Sequence, residues 1–135
     1  GIHPVVVYNR QGVGFSDTIV ATLGETVTLE KVNTSVKTYR PCFDHDGQGH
    51  CFVAYDLYNG VNYDVVVRAK INGLWSEEVK LNQTAIYSTH PVMTRVGQKV
   101  TIAWYENGKH CYFSNNVIHV PLRRLDGKPQ LVQQH

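Results

Sequence analysis

Short runs of β-branched and aromatic residues, punctuated by Asx-Gly pairs, constrain this chain more than any other feature. Val5-Val6-Val7-Tyr8, Thr26-Val27-Thr28-Leu29, Phe52-Val53-Ala54-Tyr55, Asp64-Val65-Val66-Val67 and Val100-Thr101-Ile102-Ala103-Trp104 have the composition of strands. Asp46-Gly47, Asn59-Gly60, Asn72-Gly73, Asn107-Gly108 and Asp126-Gly127 are turn signals, since both central positions of a type I′ turn need positive φ. No window keeps apolar residues at helical spacing for long. Turns about every 12 residues predict an all-β fold: sandwich, barrel or propeller.

With 135 residues the chain has room for one domain, residues 1–135, with its own core. Hydrophobic residues are 42% and charged residues 18%, which is a globular balance. A net charge of +2 and the absence of a Lys/Arg run argue against a nucleic-acid partner. No apolar run approaches the roughly 18 residues that would span a bilayer, so membrane insertion is not expected. The chain opens on Gly rather than Met, as expected for a piece trimmed from a longer product. The compartment is not fixed by these residues; an extracellular or surface setting is the working expectation.

A repeat is visible when "YRPCFDHDGQGHCFVAYDLYNGVNYDV" from Tyr39 is set above "THPVMTRVGQKVTIAWYENGKHCYFSN" from Thr89. Pro41 then falls on Pro91, Gly47-Gln48 on Gly97-Gln98, and Asn59-Gly60 near Asn107-Gly108. A weaker match sets "VVVYNRQGVGFSD" at the start over "VTIAWYENGKHCYFSN", with Phe15-Ser16-Asp17 on Phe113-Ser114-Asn115. A period of about 49 residues fits four-stranded antiparallel propeller blades. The expected units are residues 4–38 (partial), 39–88 and 89–132, about 2.7 blades, too few to close a ring of at least four. The alternative architecture is a single β-sandwich.

The densest polar stretch, Phe43 to Asp56, reads "FDHDGQGHCFVAYD". Its counterpart in the next repeat keeps Gly-Gln but no carboxylate or histidine, so the shared content is a turn. If Asp46-Gly47 is a two-residue turn, Cys42 faces Cys51 at the closest kind of cross-strand pair, within disulfide range. Cys111 would be left over, and three cysteines do not make a disulfide scaffold. A calcium reading of Asp44 and Asp46 needs six or more oxygens, of which this loop offers few. No metal, cofactor or catalytic group is assigned. The sequons at Asn33 and Asn82 occur at chance density.

The stretch Val65 to Asn115 resembles the repeating unit of sialidase-like, Asp-box-type β-propellers. Gly73, Trp75, Ser76, Leu81, Asn82, Pro91, Gly97, Ala103, Trp104, Tyr112 and Ser114 follow that outline. The chain departs at the Asp-box itself: Asn72 directly precedes Gly73, where a full motif has an Asp two residues before the Gly. The resemblance implies a carboxylate gripped by arginines and a Tyr nucleophile assisted by a Glu. Arg40 before Pro41 only echoes the opening arginine motif, and Arg68 and Arg95 sit in no matching one. Among Asp44, Asp56, Asp64, Glu77, Glu78 and Glu106, spacing selects no pair of glycosidase carboxylates. The chain is therefore read as no enzyme, though a glycosidase fragment stays open.

The leading expectation is a non-catalytic, lectin-like module acting on a glycan as a homo-oligomer. The alternative is a structural or protein-interaction module of a larger protein. Sugar faces stack on aromatic rings while polar groups bond the hydroxyls, so the candidate ligand residues are Tyr39, Arg40, Tyr55, Tyr58, His90 and Tyr105. Trp75 and Trp104 are expected to seal sheet against sheet. Tyr105, next to Trp104 on a strand, must point away from it. In the tail, Leu131-Val132 reads as a last strand that could be donated to a neighbour.

Overall fold

The computed structural model describes residues 3–34, 37–45, 50–82, 87–97, 99–116 and 132–134; at 115–116 and 132–134 it describes the backbone. Among the described residues twelve strands form three antiparallel sheets, and none of these closes on itself. Sheet A holds β1 (Val5–Gly12), β2 (Phe15–Leu23) and β3 (Val27–Lys31). Sheet B holds β4 (Thr38–His45), β5 (Cys51–Tyr58) and β6 (Tyr63–Ile71), with short β7 (Leu74–Trp75) and β8 (Val79–Lys80) both paired to β6. Sheet C holds β9 (Ser88–Val96), β10 (Lys99–Glu106), β11 (Lys109–Asn116) and β12 (Val132–Gln134). The all-β expectation is met, and β12 pairs with β11.

Sheet B lies between the other two, which explains why its strands are apolar without alternation. Phe52 and Ala54 on β5, with Val65, Val67 and Ala69 on β6, join Val100, Ile102, Trp104, Cys111 and Phe113 in a core shared with sheet C. The intervening Val53, Tyr55 and Val66 face the other way and join Val20 and Val32 in a core shared with sheet A. Trp104 is buried in the first core, and Trp75 packs against the second.

Turn chemistry places the hairpins. Asn72 and Asn107 take φ of 53° and 49°, and Gly73 and Gly108 take 82° and 77°, as a two-residue type I′ turn requires. The β5–β6 hairpin is longer. Tyr58 pairs with Tyr63, and the Asn59 side chain accepts the Val61 and Asn62 amides at 2.9 and 2.8 Å.

The β4–β5 hairpin corrects the expected register. His45 pairs with Cys51 and Cys42 with Ala54, so five residues, 46–50, separate the paired ends. The Asp46-Gly47 turn itself lies outside the described residues, as does Asp126-Gly127. Cys42 and Cys51 are three rungs apart, on opposite faces, and neither is in a disulfide. A strand buried on both faces takes its register from its cores. The observed register sets Phe43 beside Val53 in one core and Cys42 beside Ala54 in the other; the two-residue turn would have put Phe43 opposite His50. Burial pushes the Cys42 thiol up to about 12.

Two constructions recur. In sheet A, Asn33 Oδ1 accepts the Thr18 amide at 2.7 Å and its Nδ2 donates to Asp17 at 3.1 Å. In sheet B, Asn82 accepts the Val65 amide at 2.9 Å and donates to Asp64 at 2.9 Å. Both asparagines are 3% exposed and serve as internal clamps. The second construction is a bulge: Arg40-Pro41 sits opposite Tyr55, and His90-Pro91 opposite Trp104. Arg40 and His90 hold φ of 48° and 61°, and the following proline needs no ladder hydrogen bond. The early match of Phe15 to Phe113 does not share a hairpin position, because Gly14 directly precedes Phe15 while Phe113 is the fifth residue after Gly108.

Candidate functional site

The bulge in β4 and the hairpin between β5 and β6 meet at one end of sheet B and build a tyrosine cluster. Tyr63, the first residue of β6, is its hub. The rings of Tyr39, Tyr58 and Tyr87 lie 5.9, 5.1 and 5.5 Å from it, at interplanar angles of 65°, 45° and 76°. Edge-to-face and tilted pairs at these separations are favourable beyond the area they bury. Tyr58 and Tyr63 are a cross-strand pair, Tyr39 stands just before the bulge, and Tyr87 leads into β9, its carbonyl accepting the Asn107 amide at 3.1 Å.

Two cations border the rings. The Arg40 guanidinium lies 5.5 Å from the Tyr63 centroid and the Lys37 ammonium 6.0 Å from that of Tyr58. Arg40 is also fixed from below: its Nε donates to Asp56 Oδ2. Asp56 is fully buried, and its other oxygen accepts the His90 amide at 3.0 Å. Burial raises the Asp56 carboxyl to about 6, while Arg40 and the His90 amide pull it back down. One carboxylate thus ties both bulges together and holds a cation beside an aromatic surface.

The Tyr58 hydroxyl donates to the Gly60 carbonyl at 3.0 Å. Those of Tyr39, Tyr63 and Tyr87 make no hydrogen bond among the described residues, and Tyr87 is half exposed. The arrangement offers ring faces and edges, phenol groups open to a ligand, and one anchored guanidinium. Arg-aromatic-hydroxyl surfaces of this kind suit a polyhydroxylated ligand, whose C–H faces stack and whose hydroxyls bond.

Of the residues expected from sequence, Tyr39, Arg40 and Tyr58 converge here, and His90 joins through its backbone amide. Its ring turns to Thr89, with Nδ1 and Oγ1 2.7 Å apart. Tyr55 and Tyr105 are elsewhere. Tyr55 is fully buried between sheets A and B, where its hydroxyl donates to Glu78 Oε2, and burial and Glu78 drive its pKa up. Tyr105 points away from Trp104 onto the outer face of sheet C, 44% exposed, its ring against His110 at 4.8 Å.

Glu78 precedes β8 and also accepts the Thr34 hydroxyl. Asp56 and Glu78 serve opposite faces of sheet B and form no carboxylate pair. In the Phe43–Asp56 stretch, Asp44 accepts the His45 amide at 2.7 Å and sits 3.9 Å from Arg95; Asp46 lies outside the described residues. Sequence reasoning missed Tyr63 and Lys37 as site residues and Asp56 as the anchor. "YNGVNY", a tyrosine on each side of an Asn-Gly turn, is the signal that finds Tyr63.

The chain matches no protein-family model, no curated protein and no solved structure. The likeness to sialidase-type repeats therefore rests on the residues quoted for it. Among the described residues no helix is long and apolar enough to cross a membrane.

Proposed function

We propose that this chain is a non-catalytic carbohydrate-binding module and that the tyrosine cluster around Tyr63 is its sugar platform. The carrying observation is the convergence of four tyrosine rings with a guanidinium held in place by a buried carboxylate. A pyranose stacks on the half-exposed Tyr87 ring, the phenol hydroxyls bond its equatorial oxygens, and the outer Arg40 nitrogens, not engaged by Asp56, complete the polar contacts. Nothing in this reading requires a bond to break. The sheets are propeller-type repeats: the recurring asparagine clamps, the twin bulges before proline and the covering of sheet B on both faces support it.

Glycan-array binding by the labelled chain tests the reading. Binding to a defined class of glycans is expected. Tyr87→Ala and Arg40→Ala should each weaken it by roughly tenfold or more, the loss of about 1.4 kcal/mol. Tyr105→Ala, whose ring packs on His110 and on none of the four clustered tyrosines, should leave it unchanged. No glycan bound, or binding indifferent to Tyr87 and Arg40, contradicts the proposal.

A further inference from the structure

The three sheets are stacked in a single direction, and the two ends of the stack are not alike. The asparagine clamps align sheet A with sheet B: Asn33 caps Thr18, whose β1 partner is Asn9, and Asn82 caps Val65, whose β5 partner is Asp56. The bulges align sheet B with sheet C, setting Tyr55 against Trp104. Tyr8, Tyr55 and Trp104 are then one position in three sheets. Tyr55 is 0% exposed beneath sheet A and Trp104 is 2% exposed beneath sheet B, whereas Tyr8 is 37% exposed with no described sheet over it.

The next position on the same strand shows the other end. Asn9 reaches forward into sheet B, its Nδ2 2.6 Å from the Thr38 carbonyl. Asp56 reaches forward into sheet C to the His90 amide. Tyr105 holds that position in sheet C and is 44% exposed. The outer face of sheet A is thus the kind that a preceding sheet covers in B and C. The outer face of sheet C is the kind that, in A and B, covers a following sheet.

Exposed apolar side chains gather on these two faces. Of the 13 large ones among the described residues, Val6, Tyr8, Phe15, Leu23, Val27 and Leu29 lie on the outer face of A. Val92, Val96 and Tyr105 lie on that of C, and the other four are in turns or short flanking segments. Contiguous apolar faces on a small protein mark interaction sites.

The geometry points to a head-to-tail interface between copies of this chain, in which the outer face of sheet A in one copy covers the outer face of sheet C in the next. A second copy is the occupant because it supplies a sheet face of the required type, as the A–B and B–C contacts already demonstrate twice. Such a contact is heterologous, so it closes into a ring or runs on as a filament. Two copies bring six sheets, within the four to eight of closed radial arrays. The interface stands independently of the sugar reading, since it uses neither the Tyr63 cluster nor its cations.

Light scattering after gel filtration tests it with the wild type, Leu29→Asp on the A face and Val96→Asp on the C face. The wild type is expected at twice the chain mass. Each variant, with unchanged far-ultraviolet circular dichroism, is expected as a monomer. An equimolar mixture of the two variants retains one intact A–C contact and should regain a dimer, roughly tenfold or more weaker than the wild type. A wild type that stays monomeric at millimolar concentration overturns the proposal. So does a Val96→Asp chain that still dimerises, since that outcome requires an A-on-A contact. A mixture that stays monomeric overturns it as well.

Discussion

The two faces of sheet B meet very different surroundings, although the same strands supply both. Towards sheet C the contact is mainly apolar, with Phe52, Ala54, Val65, Val67 and Leu81 packed on Val100, Ile102, Trp104 and Phe113. Its polar links include Asp56 to the His90 amide at 3.0 Å and Arg95 to the His45 carbonyl at 2.9 Å. The Trp104 indole nitrogen is satisfied within its own sheet by Glu106 at 3.0 Å. Towards sheet A the contact is laced with polar links. Asn9 and Ser16 both donate to the Thr38 carbonyl, at 2.6 and 2.7 Å, and Thr18 and Thr38 hydroxyls are 2.8 Å apart. Arg68 donates to the Val32 carbonyl, Lys70 bonds Glu30 at 3.1 Å, and Thr34 reaches the Glu78 that holds Tyr55. One contact is held by excluded water and filled volume, the other by directional bonds whose net contribution is small but which fix how the sheets sit. Substitutions should sort accordingly.

The largest effect belongs to the apolar side. Phe113→Ala empties the B–C core and should cost about 3–5 kcal/mol in urea unfolding. A loss below 1 kcal/mol would mean the sheets are not packed as described.

Next is Asp56, a polar link from the B–C side to the tyrosine cluster. Folding raises its carboxyl from the usual 3.8 to about 6, because burial outweighs Arg40 and the His90 amide. The folded state therefore holds this proton more tightly than the unfolded chain. Its contribution to stability is full below about pH 4 and is lost as pH rises through about 6, roughly 2–3 kcal/mol in all. Asp56→Asn should remove that pH dependence relative to wild type. An identical slope in the two proteins would show that Asp56 is not the group responsible.

The smallest expected effect is on the polar side. Tyr55→Phe deletes one hydroxyl, keeps the ring, and leaves Glu78 with Thr34 and partial access to water. The expected loss is about 1 kcal/mol. A loss as large as that of Phe113→Ala would erase the distinction between the two interfaces.

Much of this was legible in the chain. Asn72-Gly73 and Asn107-Gly108 are hairpin turns because no other local chemistry accommodates two positive φ values so readily. The unbroken apolar runs Phe52-Val53-Ala54-Tyr55 and Val65-Val66-Val67 are strands buried on both faces. The β4–β5 register was not legible, because Asp46-Gly47 is a local signal and the register answers to two cores assembled from distant strands. Tyr55 read as a ligand candidate; nothing within its run reveals that Glu78, 23 residues on, receives its hydroxyl inside the protein. The tyrosine cluster was half legible. Tyr39, Arg40 and Tyr58 carry local signs of exposure near a bulge or turn. Tyr63 and Lys37 join them only through the pairing of β5 with β6 and the course of the chain into β4.

The most direct test of the central claim is chemical-shift mapping of the wild-type protein by NMR, titrated with the glycan that binds best on the array. Shifts concentrated at Tyr39, Arg40, Tyr58, Tyr63 and Tyr87, saturating with ligand, are the predicted result. Shifts confined to the outer face of sheet C around Tyr105, or none at all, would contradict it.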